Sequence, residues 1–249
     1  MAVFSGTLYS EMLGKRTPVE VIFPSDELGA APEEPVAVFY FLHGLTDNSG
    51  AYNRWTNLAW LTRRYHIAAI MPDVDRSWYM DMEHGGRYFS YLTQELPSRV
   101  QQLFRLPARS FIVGNSMGGY GALKALLRCS GQYEGAAGLS GAYDLPRILA
   151  KNPALTGEFQ AILGQALALK PEDDIYALAE QATLCGKRIY LACGTEDDFL
   201  PDTERLHEGL LRRSIAHCTR YAPGGHDWDC WNAQLAPAIE YLLNLAPSR

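Results

Sequence analysis

A serine, a group of carboxylates and a histidine stand along this chain where each could take part in covalent acyl transfer. Ser116 lies within Gly114-Asn115-Ser116-Met117-Gly118, a G-x-S-x-G arrangement. Glycines flank a serine in this way where a strand reverses sharply into a helix, because side chains there would collide. Such a turn lifts the hydroxyl clear of the backbone and presents it as a nucleophile. Glu196, Asp197 and Asp198 follow a strand expected over 187–193, and His226 follows Gly224-Gly225. An imidazole can take the serine proton if a carboxylate orients its other nitrogen. The order along the chain is serine, acid, histidine.

These groups need strands that end beside one another. Phe111-Ile112-Val113 is a short apolar run of the kind that makes a buried parallel strand, and Gly118, Gly119, Gly121 and Ala122 let the next helix pack close to it. Residues 36–42 form a second continuous apolar run, ending in His43-Gly44-Leu45-Thr46-Asp47. A strand that stops at His-Gly ahead of a G-x-S-x-G turn supplies half an oxyanion hole, with the Leu45 N–H aimed at the developing charge and His43 bracing the loop. The order of elements and of reactive residues is that of the α/β-hydrolase fold, a mostly parallel central sheet with helices on both faces.

The remaining elements follow from periodicity. Residues 17–24 alternate like an early antiparallel strand, and 25–35, rich in Gly, Pro, Ala and acid, read as an exposed turn. Residues 52–65 read as a crossover helix that sends Trp55, Leu58, Ala59 and Leu61 to the core, returning the chain to a strand over 66–71. Residues 76–91 are dense in aromatics and glycine without a clean period, as in a loop lining a pocket; Trp78 and Tyr79 either shape a substrate site or pack on the surface. Residues 93–106 form an amphipathic helix with Leu96, Val100, Leu103 and Phe104 on one face. Residues 135–141 make another buried strand, with Ser140 at the rim of the site. Residues 145–183, broken by Pro146, Pro153, Gly157, Gly164 and Pro171, read as a cap-like insertion of short helical pieces over the active site.

Composition sets the class: 249 residues, 47% hydrophobic and 20% charged, suit a single α/β domain over 1–249. A net charge of -6 and the lack of a Lys/Arg run exclude a nucleic-acid surface. The N-terminal residues lack the basic start and apolar core of a signal peptide, and no stretch reaches membrane-spanning length. Five cysteines without a C-x-x-C pair suit free thiols in a reducing compartment, so the expectation is a cytoplasmic protein. Asp81, Glu83 and His84 match no metal-ligand spacing, and the chemistry calls for neither metal nor cofactor. Whether the chain forms a homo-oligomer is left open.

Four stretches in order, Tyr40 to Asn48, Gly114 to Gly121, Ala192 to Asp197 with Phe199-Leu200, and Gly224 to Trp231, resemble the esterase D family, most of all its bacterial tributyrin-esterase and acetylesterase branch. The resemblance covers nearly the whole length. It implies a catalytic triad of Ser116, Asp197 and His226, an oxyanion hole from the N–H groups of Leu45 and Met117, and hydrolysis of a small-molecule ester of short acyl chain. The family also contains S-formylglutathione hydrolases, whose oxyanion strand usually ends Ser-Gly-Leu-Thr-Cys; the sequence His43-Gly44-Leu45-Thr46-Asp47 weighs against a glutathione thioester. An acyltransferase would use the same triad with an alcohol acceptor. A non-catalytic binding protein would normally have lost a triad member, and none is lost.

Overall fold

In the computed structural model, residues 1–24 and 34–246 are described. Most of the turn expected over 25–35 lies outside them. The apolar runs become strands of one eight-stranded sheet. β1 (Ala2–Ser10) and β2 (Lys15–Phe23) form a hairpin, β3 (Ala37–Leu42) follows, and α1 (Ala51–Trp55) and α2 (Leu58–Tyr65) cross over to β4 (Ile67–Pro72). α3 (Tyr88–Ser90) runs through a π-helical turn, Tyr91–Glu95, into α4 (Leu96–Leu103). Then come β5 (Ser110–Asn115), α5 (Met117–Arg128) and β6 (Gly135–Leu139). The cap-like segment holds α6 (Leu145–Lys151), α7 (Thr156–Leu163) and α8 (Ile175–Gln181), with single 3-10 turns at Pro153–Leu155 and Pro171–Asp173. β7 (Arg188–Gly194), α9 (Leu200–Arg212), β8 (His217–Ala222) and α10 (Trp228–Leu243) complete the chain.

The strand order is β1-β2-β4-β3-β5-β6-β7-β8. β1 and β2 pair antiparallel, as do β2 and β4, and every later pairing is parallel. Both faces are covered, so β3, β4 and β6 are buried at every position. Along β3, Val38, Tyr40 and Leu42 enter one core and Phe39 and Phe41 the other. The parallel strands all end along one edge, where an open α/β sheet receives ligands. β5 registers beside β3 with Leu42 opposite Gly114, so the His-Gly loop and the serine turn emerge as neighbours.

Two local expectations are corrected, and one strand is added. The helix expected over 52–65 breaks at Thr56, whose backbone is extended (φ -134°, ψ 171°), and the Asn57 N–H is taken by Asn232 Oδ1 at 2.9 Å. Trp55 therefore ends α1 facing water, 54% exposed, whereas Leu58 and Leu61 reach the core as expected. The helix expected over 93–106 stops at Leu103, which is 60% exposed, because Phe104 turns extended; Leu96 and Val100 carry the buried face. β1 leaves little mark in the sequence: it is the sheet's edge strand, and most of its residues are exposed, so it lacks a strong apolar period.

Candidate active site

The serine turn is as tight as its glycines demand. Ser116 sits at φ 55°, ψ -120°, a strained conformation for a residue with a side chain. A Cβ on Gly114 would stand 2.1 Å from the Gly118 carbonyl oxygen, and one on Gly118 would stand 2.0 Å from the carbonyl oxygen of Leu42. Only glycine permits strand, turn and helix to approach this closely. The Ser116 N–H donates to Leu139 O at 2.9 Å and its carbonyl accepts from Ala142 N–H at 3.1 Å, which ties the turn to the end of β6.

The acid and histidine loops meet at a second contact of this kind. A Cβ on Gly194, at the end of β7, would lie 2.2 Å from Gly224 O in the loop that carries His226. Thr195 N–H and Glu196 N–H donate to Ala222 O and Gly224 O, at 2.9 and 3.0 Å, and lock the two loops together. His226 then faces both partners. Its Nε2 is 3.0 Å from Ser116 Oγ, and its Nδ1 is 3.0 and 3.1 Å from the two Asp197 oxygens. Phe199 and Trp231 flank the imidazole, each with ring centroids at 4.9 Å.

Asp197 is buried, whereas its neighbours Glu196 and Asp198 are exposed. Burial alone would raise its pKa, but hydrogen bonds from His226 and from the Phe199 N–H at 2.8 Å, with the nearby Ser140 hydroxyl, outweigh it and hold the carboxyl below its usual value. An ionised Asp197 accepts only, so Nδ1 carries the proton and Nε2 is left to accept from the serine. Ser140 is itself buried beneath this arrangement, not at the rim as expected.

On the other side of Ser116, the loop after β3 is organised by His43, which is 1% exposed. Its Nε2 accepts from the Val74 N–H at 3.1 Å, so Nδ1 holds the proton and donates to Gly44 O at 2.8 Å. His43 is therefore neutral, and burial lowers its pKa accordingly, against the opposing influence of the Gly44 carbonyl and of Asp73, Asp47 and Asp75. Gly44 C=O and Leu45 N–H belong to one peptide unit. A donor on that carbonyl both fixes the plane of the unit and polarises its N–H. Met117 opens α5, where an N–H has no intrahelical acceptor. Asn115 is buried with its amide 3.1 Å from where a Gly44 side chain would begin, packed beneath this loop.

A cleft of about 610 Å³ opens above Ser116 and His226. Leu45, Thr46 and Asp47 line it from the loop after β3, Ile148, Asn152 and Leu155 from the cap, and Phe199, Trp228 and Trp231 from beside the histidine. Of the two placements open to Trp78, the structure has it lining the cleft. Tyr79 does not line it: it is fully buried behind the wall, its hydroxyl donating to His43 O at 2.8 Å. It shapes the loop of His43 and not the substrate space. Trp228 and Trp231, missed in the sequence, stand two and five residues beyond His226 at the start of α10, a position that could have marked them as walls.

A family model described as "Putative esterase" matches residues 10–242. The chain belongs to this esterase family. It is a serine hydrolase acting on carboxylic esters, built on the α/β-hydrolase fold. It is 30% identical to an acetyl esterase of Caldicellulosiruptor saccharolyticus, over 99% of this chain and 100% of that one. Among solved structures it is similar to FphF, a fluorophosphonate-binding serine hydrolase of Staphylococcus aureus, at 28% identity and a TM-score of 0.87, covering 98% of both chains. It is also similar to an S-formylglutathione hydrolase, FrmB, of the same organism, at 28% identity and a TM-score of 0.85, over 98% of this chain and 99% of that one. No described helix is long and apolar enough to cross a membrane.

Proposed function

We propose that this esterase hydrolyses small esters of short acyl chain through an acyl-enzyme on Ser116. The observation that carries the reading is the alignment of Ser116 Oγ, His226 and Asp197 at hydrogen-bonding distance. His226 Nε2 takes the hydroxyl proton as Oγ bonds to the ester carbonyl carbon. The Leu45 and Met117 N–H groups hold the oxyanion, with Leu45 primed by the bond from His43 to its own peptide carbonyl. His226 returns the proton to the departing alcohol. Water, deprotonated by the same nitrogen, then frees the acid and restores the serine. Trp78 and the cap residues Ile148 and Leu155 crowd the cleft, which favours acyl groups of about two to four carbons. The free thiols fit a cytoplasmic setting, and the 249 residues read as one domain with 145–183 as its cap.

A second reading, S-formylglutathione hydrolysis, is favoured by the similarity to FrmB. Against it, the cleft is lined by Asp47 and Asp227 and, among the described residues, by no lysine or arginine, an unsuitable field for the two carboxylates of glutathione. A panel of p-nitrophenyl acetate, butyrate and octanoate beside S-formylglutathione separates the two. Acetyl or butyryl turnover well above the thioester is expected; the reverse order overturns the first reading. Ser116→Ala should leave a folded protein with ester hydrolysis reduced at least about 10³-fold. A fluorophosphonate should label Ser116 in the parent and nothing in the variant.

A further inference from the structure

Arg76 and Trp78 lie in the aromatic loop, and both are held from the cap by one side chain. Glu158, on α7, is largely buried, 19% exposed at its side chain. Its Oε2 accepts from Arg76 Nε at 2.6 Å and its Oε1 from the Trp78 indole N–H at 3.1 Å. Arg76 continues the chain of contacts, donating from Nη1 to the Leu45 carbonyl at 3.3 Å. The residue after Glu158, Phe159, packs on the Trp78 ring with centroids 5.2 Å apart. One carboxylate therefore touches the wall of the cleft with one oxygen. With the other it reaches, through Arg76, the residue whose N–H would bind the oxyanion.

The loop requires such support. Trp78 and Tyr79 both lie at φ 52°, two consecutive left-handed residues with large side chains. That conformation persists only where the surroundings impose it. Tyr79 is held from the sheet side by its bond to His43 O and by Lys124, whose ammonium donates to Tyr79 O at 3.1 Å. The indole N–H of Trp78 is held from the cap, by Glu158.

We propose that Glu158 is a positioning residue that couples the cap to the chemistry: through Trp78 it sets the size of substrate the cleft admits, and through Arg76 and the Leu45 carbonyl it sets the aim of the oxyanion loop. The two effects travel through different oxygens of one carboxylate, so they are separable by substitution. The inference rests on the reading of Ser116 as nucleophile and of the Leu45 N–H as oxyanion donor.

The test is steady-state hydrolysis of acetyl and octanoyl p-nitrophenyl esters, the latter below its micellar concentration, by Glu158→Ala, Glu158→Gln, Arg76→Met and the double variant Glu158→Ala/Arg76→Met. Arg76→Met should lower kcat about tenfold on both esters with their kcat/KM ratio unchanged, since a small misplacement of a transition-state donor costs rate and not selectivity. Glu158→Gln keeps an acceptor for the indole and loses the charge facing Arg76, so it should behave like Arg76→Met. Glu158→Ala should lose kcat to the same degree and raise the octanoyl-to-acetyl ratio at least about fivefold as Trp78 is released. In the double variant the kcat losses should not multiply, because both residues act through one line of contacts. An unchanged chain-length ratio in Glu158→Ala overturns the proposal, as do kcat losses that multiply or that simply follow the melting temperature. Should Glu158→Ala fail to fold, Glu158→Gln with Arg76→Met still decides the matter: a shifted ratio in either, or an undiminished kcat, is contrary to it. Fluorophosphonate labelling of each variant is read in parallel. Labelling elsewhere than Ser116 would overturn the underlying reading of the site, whereas labelling at Ser116 with unmoved kinetics would overturn the role of Glu158 alone.

Discussion

The sheet-side wall of the cleft, with Ser116, Asp197 and His226, hangs on the ends of β5, β7 and β8 and is fixed by backbone contacts too close for any residue but glycine. The cap-side wall, with Ile148, Asn152 and Leu155, hangs on short helices and is fixed by side chains that reach across to the scaffold. Lys124 of α5 bonds Asp173 at 2.5 Å, and the Tyr120 hydroxyl donates to the Asp173 carbonyl at 2.7 Å. Arg147 of α6 pairs with Asp202 of α9 at 2.6 Å. A backbone-built wall fixes the reacting atoms directly, and a side-chain-built wall can be refitted without disturbing them except where a side chain such as Glu158 reaches through Arg76 to the oxyanion loop. Damage to the first should therefore appear in rate, and damage to the second in stability and selectivity.

The sharpest test of the sheet side sets two adjacent carboxylates against each other. Asp197→Asn should keep the fold and cut kcat by as much as about 10⁴, because the amide stabilises the wrong imidazole tautomer and withdraws the charge that supports imidazolium. Asp198→Asn, at an exposed side chain, should stay within about threefold of the parent. Rates of the two variants on one ester, with melting curves to show that both are folded, decide it. Comparable losses would mean that the backbone does not set the register of this loop as tightly as the Gly194 contact implies.

On the cap side the largest effect should be on stability. Lys124 is completely buried; burial pushes its pKa down, and Asp173 opposes that shift. Lys124→Met leaves the Asp173 carboxylate without its partner, and loss of one member of a buried pair costs about 3–5 kcal/mol. Lys124→Met/Asp173→Leu should recover much of that loss in denaturant unfolding. If it does not, the contacts of Lys124 with Tyr79 O and the Phe89 ring matter more than the ion pair.

The same division explains what could be read in the sequence. Gly114, Gly118, Gly194 and the His43-Gly44 step record backbone geometry in residue type, so the serine turn, the histidine loop and the His-Gly loop of the candidate site are legible from them. The choice of Asp197 over its neighbours came from resemblance, and burial now supplies its physical ground. Contacts that depend on tertiary partners left no local trace. Nothing local marks Lys124 of α5 as a buried partner of Asp173. Tyr79 reads as either a pocket or a surface aromatic, and its hydroxyl on His43 O makes it neither. Trp55 faces water because the helix breaks at Thr56, a break that apolar spacing does not reveal.

A smaller effect, expected in pH dependence, tests the sheet side again. His43 must stay neutral to accept from the Val74 N–H, and its folded pKa lies below the unfolded value of about 6.5. Its contribution is fully present above that value. As pH falls below it, the unfolded chain binds a proton that the folded chain refuses, and stability is lost until the folded pKa is reached. One such group gives a slope of at most about 1.4 kcal/mol per pH unit. Denaturant melts between pH 7.5 and 5 should show this slope in the parent and a shallower one in His43→Gln. Equal slopes would mean that His43 accepts a proton in the fold, contrary to its hydrogen bonds.

The finest comparison uses two fully buried tyrosines, one holding the sheet-side loop and one at the root of the cap. Tyr79 donates to His43 O at 2.8 Å, whereas the Tyr143 hydroxyl is buried without a hydrogen-bond partner among the described residues. Both rings fill the interior, so replacement by phenylalanine keeps the packing and removes only oxygen. At position 79 that leaves the His43 carbonyl without this donor, which costs about 1–2 kcal/mol. It also frees the peptide that precedes Gly44, so a drop of about threefold in kcat should accompany the loss of stability. At position 143 no bond is lost and an unpaired hydroxyl leaves the core; stability should stay within about 1 kcal/mol of the parent, on the stabilising side. Urea midpoints and kcat for Tyr79→Phe and Tyr143→Phe on acetyl ester measure the difference. If Tyr143→Phe proved the more damaging in both, the hydroxyl packed against Gly138 and Gly141 would be holding the cap root through a contact as specific as any on the sheet side, and the division between a backbone-built and a side-chain-built wall would fail at that point.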